Sequence, residues 1–249
     1  MNVDHAGADA RWSPNFGERR DGLQPTIIVL HYTGMETAIA AQDWLCNPDS
    51  GVSCHYIVDE DGKITQMVPE AKRAWHAGEG SWHGQKDINS RSIGIEVANR
   101  GHPGGLPDFP QKQIDAVVEL TQAIIARHQI ALRNVIGHSD MAPGRKVDPG
   151  ERFPWKKLAD AGAALHVASA PILDGRFFIL GESGQPIEAL QAMLALYGFE
   201  QQMTGDFDDR VKANIEAFQR RHRPEKVDGV ADASTITTLR NYLELAAGQ

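Results

Sequence analysis

A histidine closes a run of strand-forming residues, Thr26-Ile27-Ile28-Val29-Leu30-His31-Tyr32, so its imidazole stands where a side chain projects from the rim of a sheet. Alone, this placement suits a hydrogen-bonded structural histidine as well as a ligand. The segment Gly137-His138-Ser139-Asp140-Met141-Ala142-Pro143-Gly144-Arg145-Lys146-Val147-Asp148-Pro149-Gly150 changes the reading, because one loop holds a second imidazole, a lysine and a carboxylate. Its prolines and glycines stiffen it, and Pro149-Gly150 turns the chain just beyond Asp148. Such a loop holds polar side chains in fixed directions at little further loss of entropy. Two imidazoles and one carboxylate, from His31, His138 and Asp148, suit a zinc ion whose fourth position is left to water. Zinc lowers the pKa of that water to about 7. Amide hydrolysis then needs a base that takes the water's proton and returns it to the leaving amine. It also needs a positive group facing the developing oxyanion. Glu96 is the best candidate for the base, and Lys146, two residues before Asp148, for the positive group.

The elements that must position these residues are legible in the pattern. In Ile93-Gly94-Ile95-Glu96-Val97-Ala98, the bulky apolar residues face one way and Gly94, Glu96 and Ala98 the other, as in a strand. His55-Tyr56-Ile57-Val58 and Ile64-Thr65-Gln66-Met67-Val68 flank Asp59-Glu60-Asp61-Gly62, which predicts a hairpin. Helices are expected over 38–45 and 111–129, the latter with Ile114, Val117, Val118, Thr121, Ile124, Ile125 and His128 on one stripe. A short strand over 134–137 leads into His138.

Strands and helices mix over residues 22–160, which predicts an α/β domain with a mixed central sheet flanked by helices. Residues 1–21 read as an extension and 161–176 as a linker. Over 177–249 the pattern is helical, with stripes at Ile187/Leu190/Gln191/Leu194/Tyr197, Val211/Ile215/Phe218 and Ile236/Leu239/Tyr242/Leu243. That predicts a small three-helix bundle.

The 249 residues carry a net charge of −8, with 41% hydrophobic and 23% charged residues, the balance of an ordinary globular protein. An acidic chain without a basic stripe excludes a general nucleic-acid binder. Cys46 and Cys54 permit one bridge but are expected as two reduced thiols. The first twenty-one residues are polar, and no apolar run reaches the length of a membrane span. A soluble, cytoplasmic protein is expected, with the periplasm or outer membrane as the alternative if a leader has been removed.

The chemistry-bearing segments also resemble a known family. His31-Tyr32-Thr33, Ser53 to Gly62, Ala74-Trp75-His76-Ala77-Gly78, Ile93-Gly94-Ile95-Glu96 and His138 to Gly150 look like the type 2 N-acetylmuramoyl-L-alanine amidases, closest to their AmpD/AmiD branch. The resemblance spans roughly residues 22–160. It implies one zinc per chain on His31, His138 and Asp148, with Glu96 as base or water-positioning residue and Lys146 as transition-state stabiliser. Asp148 where some relatives have Cys, and Glu96 where others have Tyr, point to the same branch. His55, Trp75 and His76 are expected to line the substrate groove; Trp82 is placed equally well in a groove wall or in the core. His5, His83, His102, His128, His166 and His222 have no supporting context. Residues 177–245 resemble the helical peptidoglycan-binding module through Ile187 to Leu194, Thr204-Gly205-Asp206-Phe207 and Ala217-Phe218-Gln219.

The activity this implies is hydrolysis of the amide between N-acetylmuramic acid and L-alanine, in peptidoglycan or muropeptides. A non-catalytic peptidoglycan receptor on the same scaffold is the alternative, but such a receptor is expected to lack a ligand or the base, and here every position is filled. An unrelated metallohydrolase fits the second domain less well.

Overall fold

The computed structural model describes residues 2–248. In chain order its strands are β1 (Ala8–Ala10), β2 (Phe16–Glu18), β3 (Ile27–Tyr32), β4 (Tyr56–Val58), β5 (Ile64–Gln66), β6 (Lys72–Ala74), β7 (Ser92–Val97), β8 (Val135–Gly137), β9 (Phe177–Phe178) and β10 (Ala231–Asp232). The helices are α1 (Ala38–Cys46), α2 (Ile88–Arg91), α3 (Gln111–His128), α4 (His138–Met141), α5 (Trp155–Asp160), α6 (Gln185–Tyr197), α7 (Asp209–His222) and α8 (Ala233–Ala247).

Six strands form the central sheet in the order β1-β5-β4-β7-β3-β8. β4 and β5 are the antiparallel hairpin expected around Asp59–Gly62, whereas β4, β7, β3 and β8 run parallel. Gly62 takes φ +85 at the turn, and the Asp59 side chain accepts from the amides of Asp61 and Lys63. Parallel strands are buried on both faces, so β3 reads as one apolar run whose alternate residues serve different layers. Ile28 and Leu30 join Ile93, Ile95 and Val97 in a core covered by Ile114, Val117, Leu120 and Ile124 of α3 and by Trp155 and Leu158 of α5. Ile27 and Val29 face the opposite layer.

That opposite layer joins the sheet to the helical region. Ile27, Val29, Ile136 and Met141 share one apolar core with Ile187, Leu190, Leu194, Val211, Ile215 and Phe218 of the helical region. The three expected helices form, but the bundle packs as a layer on the sheet. Trp82 is 1% exposed and lies edge-on to Tyr197 and Phe199, so it belongs to this core and not to a groove. The supposed linker is partly packed too, since Ala163, Ala164 and Leu165 are buried.

The expected N-terminal extension is also structural. β1 pairs in parallel with β5 and β2 pairs antiparallel with β6, so residues 8–18 cap two strand edges. Its polar sequence hid this, because short edge strands need little apolar surface. Cys46 and Cys54 are both free, and the Cys54 thiol is buried against the Tyr56 carbonyl. Among the described residues, no helix is long and apolar enough to cross a membrane.

Candidate metal centre and cleft

His31 leaves β3 on the same face as Ile27 and Val29, at the strand's carboxyl end. Glu96 is its register partner on β7, so the two side chains leave the sheet together. His138 is the first residue after β8, which is β3's other neighbour. Asp148 returns at the far end of the loop, where its carbonyl accepts from the Ser139 amide and so closes the loop on itself.

The geometry brings His31, His138 and Asp148 together, all buried. His31 Nδ1 lies 2.9 Å from His138 Nδ1 and 3.0 Å from Asp148 Oδ2, and His138 Nδ1 lies 3.0 Å from the same oxygen. The outer ring nitrogens fix what these atoms are. His138 Nε2 lies 2.9 Å from the Ala77 carbonyl, which can only accept, so Nε2 carries the proton. For His31 the assignment runs through a relay. The Ser92 hydroxyl donates to the Ile88 carbonyl at 2.7 Å and therefore accepts from His76 Nε2 at 3.1 Å. His76 Nδ1 is then an acceptor and takes the proton of His31 Nε2 at 3.0 Å.

Both Nδ1 atoms consequently point lone pairs at each other and at a carboxylate. Burial pushes the His31 ring down to about 4, with the His138 ring adding to the shift, so it is neutral at pH 7. Burial, then the neighbouring His31 ring, lowers His76 far below its ordinary value and keeps the relay neutral. Three acceptors 2.9–3.0 Å apart repel unless a cation sits among them. The donor set and spacing fit a zinc-type ion, whose nitrogen and oxygen ligands lie at about 2.0–2.2 Å.

These residues line a cleft of about 400 Å³ together with Glu96, Lys146, Trp75 and His76. Glu96 Oε2 is buried without a hydrogen-bond partner among the described residues. Burial and then the Asp148 charge push its carboxyl well up, against the pull of Lys146. Gly94, one residue pair earlier on the same face, is a close approach: a Cβ there would stand 2.5 Å from the His76 ring.

One expected groove residue lies elsewhere. His55 is fully buried, with Nδ1 accepting from the Gly94 amide and Nε2 donating to the Lys72 carbonyl, each at 3.0 Å. It ties β7 to the segment around β6 and does not face the cleft. Sequence reasoning missed Trp44, which is 50% exposed at the cleft. Its neighbours Ala41 and Leu45 point inward on α1, so a large aromatic on the opposite face was the available signal. It also gave no role to Arg145, which lines the cleft and donates to the Ala77 carbonyl that holds His138.

A mixed sheet that gathers an acceptor triad, an uncompensated carboxyl and a lysine in one cleft has the equipment of an amide hydrolase. Residues 21–151 match the family model described as N-acetylmuramoyl-L-alanine amidase, and the chain belongs to that family and is an amidase of that kind. Residues 183–239 match the model of a peptidoglycan binding domain. The chain is 36% identical to the N-acetylmuramoyl-L-alanine amidase AmiD of Escherichia coli over 237 residues, which is 88% of this chain and 82% of that protein. It superposes on the solved complex of E. coli AmiD with anhydro-N-acetylmuramic acid-L-Ala-D-γ-Glu-L-Lys at TM-score 0.75 and 33% identity, covering 96% of this chain and 94% of the other. AmpDH3 of Pseudomonas aeruginosa gives TM-score 0.75 at 29% identity and 99% coverage of both chains.

Proposed function

We propose that this amidase is zinc-dependent and cleaves the amide joining the lactyl group of N-acetylmuramic acid to L-alanine. The acceptor triad carries the metal part of the reading: His31 Nδ1, His138 Nδ1 and Asp148 Oδ2 face one another with both outer imidazole protons already committed. Zinc bound there supplies Lewis acidity and brings the pKa of a water toward 7.

The chain's own groups do the rest. Glu96 Oε2, with no other partner, takes a proton from the attacking water and hands it to the departing alanine nitrogen. The Lys146 ammonium, which also lines the cleft, faces the oxygen on which negative charge develops. The His76 relay holds the His31 ring in the tautomer that leaves Nδ1 free. Trp75 and Trp44 offer flat apolar surface to the sugar and peptide flanking the cut. The anhydromuramoyl peptides bound by the AmiD and AmpDH3 structures are the substrate class proposed here, with the helical region holding polymeric peptidoglycan.

The test is incubation of metal-free and zinc-loaded protein with an anhydromuramoyl tripeptide, read by mass spectrometry. Release of free tripeptide by the zinc-loaded sample alone is expected. Equal release by metal-free protein would overturn the metal assignment, and intact substrate in both would overturn the substrate.

A further inference from the structure

We infer that Arg221, on a helix of the wall-binding module, is a positioning residue of the catalytic centre, and that α7 is the back wall of the metal-binding loop. The inference rests on the zinc reading above and deepens it.

The Arg221 side chain is 2% exposed and that of Asp140 1% exposed, and the guanidinium donates to Asp140 Oδ2 at 2.7 Å. Asp140 lies two residues beyond His138, in the same helical turn. The same Oδ2 also accepts from the Gly137 amide at 2.8 Å, so one carboxylate grips the residue before His138 and is itself gripped from the module. The second arm of the guanidinium donates to the Val135 carbonyl at 3.0 Å and the Leu165 carbonyl at 2.9 Å. Its carbon stands 4.0 Å from the centre of the Trp155 ring. Trp155 in turn packs on Gly137, where an added Cβ would meet its ring at 3.4 Å and Pro149 at 2.8 Å. The His138 end of the ligand loop is therefore tied to one arginine, and Pro149 at its other end packs on Gly137 beside it.

The rest of α7 continues the contact. Ala213 backs Gly144, where a Cβ would come within 3.3 Å of it, and Ala217 shares the apolar core with Met141 and Ala142. Residues 213, 217 and 221 recur at helical spacing, so one face of α7 lies along the loop. A module serving only to retain the enzyme on its polymer would need no buried ion pair beside a ligand. A planar fork that meets a carboxylate and two carbonyls at once is a job for arginine and not for lysine.

The test uses full-length protein carrying Arg221→Met, Arg221→Lys, or the uncharged pair Arg221→Met with Asp140→Asn. Removing one member strands a buried charge, whereas the uncharged pair strands none and keeps a side-chain oxygen for the Gly137 amide, so the double variant keeps the test alive if Arg221→Met does not fold. Zinc affinity is read by competition with a chromogenic chelator, kcat and KM on the soluble anhydromuramoyl tripeptide, and module function by co-sedimentation with insoluble peptidoglycan. Expected for Arg221→Met and for the double variant are zinc affinity weaker by about 10- to 100-fold, as for loss of an outer-shell partner, a lower kcat at unchanged KM, and wild-type sedimentation. Arg221→Lys is expected between these and wild type. Wild-type zinc affinity and kcat in a folded Arg221→Met or double variant, whatever the fall in Tm, would overturn the inference. Wild-type protein that binds no zinc would instead overturn the metal reading and this inference with it.

Discussion

Among the described residues, two buried carboxylates, Glu70 and Asp148, meet histidine, and their clusters are wired in opposite senses. Glu70, 3% exposed, accepts from the Tyr56 hydroxyl at 2.7 Å, from Arg127 Nε at 3.1 Å and from His128 Nε2 at 2.7 Å. Each acceptor there meets a donor, and α3 is locked to the segment following β5. Around Asp148 two imidazole lone pairs and a carboxylate face one another, their donors spent on Ala77 and His76. The same residue types make a closed strut in one place and a cation-seeking cage in the other. What distinguishes them is where the imidazole protons point.

The largest effect is expected at the cage. Asp148→Ala is expected to remove both the bound zinc and turnover, leaving activity at background, while Glu70→Gln keeps one zinc per chain. Elemental analysis of the two purified variants decides this, and zinc lost equally from both would erase the distinction. Next comes Glu96→Gln, which leaves the cage intact. Retained zinc with kcat lower by about 10²- to 10⁴-fold is expected, the usual loss when a general base is removed. Zinc loss in this variant would make Glu96 a ligand instead.

The strut sharpens the contrast through pH. Burial pushes the Glu70 carboxyl up, but hydrogen bonds from Arg127, Tyr56 and His128 outweigh it and hold the group near 2, against an ordinary 4.5. A folded pKa below the unfolded one contributes stability that is present above about pH 4.5 and is lost as pH falls toward 2. The lost contribution is about 3 kcal/mol. Denaturant melts of wild type and Glu70→Gln should therefore differ near pH 7 and converge near pH 2. A gap that persists at pH 2 would mean the cluster acts by packing alone.

The cage was legible in the sequence because its parts announce themselves locally. His31 ends an apolar strand, and His138 to Asp148 lie in one stiff loop. The strut was not: Glu70, Tyr56, Arg127 and His128 come from three separate segments, and His128 looked incidental. The same limit applied to His55, whose family-like neighbourhood suggested a groove while its two backbone partners, Gly94 and Lys72, are set by tertiary pairing. Strand alternation located Glu96 on the right face. It could not show that Ile27 and Val29 on that side are covered by the helical module, since a stripe such as Leu190/Leu194 reads alike whether it closes a free bundle or a shared core.

His76 gives the smallest effect and the finest test, because it donates nothing to the cage directly. Its Nδ1 accepts the His31 proton, and Ser92 and the Ile88 carbonyl keep it in that role. In His76→Ala the His31 Nε2 proton loses its partner, and the ring is free to flip or to carry its proton on Nδ1 instead. Zinc affinity is then expected to fall by about 10- to 100-fold, with kcat of the fully loaded enzyme changed far less. Ser92→Ala removes only the last link, so its loss should be smaller and in the same direction. If His76 instead serves chiefly as groove wall, KM for the tripeptide will rise in His76→Ala while zinc affinity stays at the wild-type value. Ser92→Ala separates the two roles, because Ser92 is fully buried and can reach the substrate only through the His76 ring.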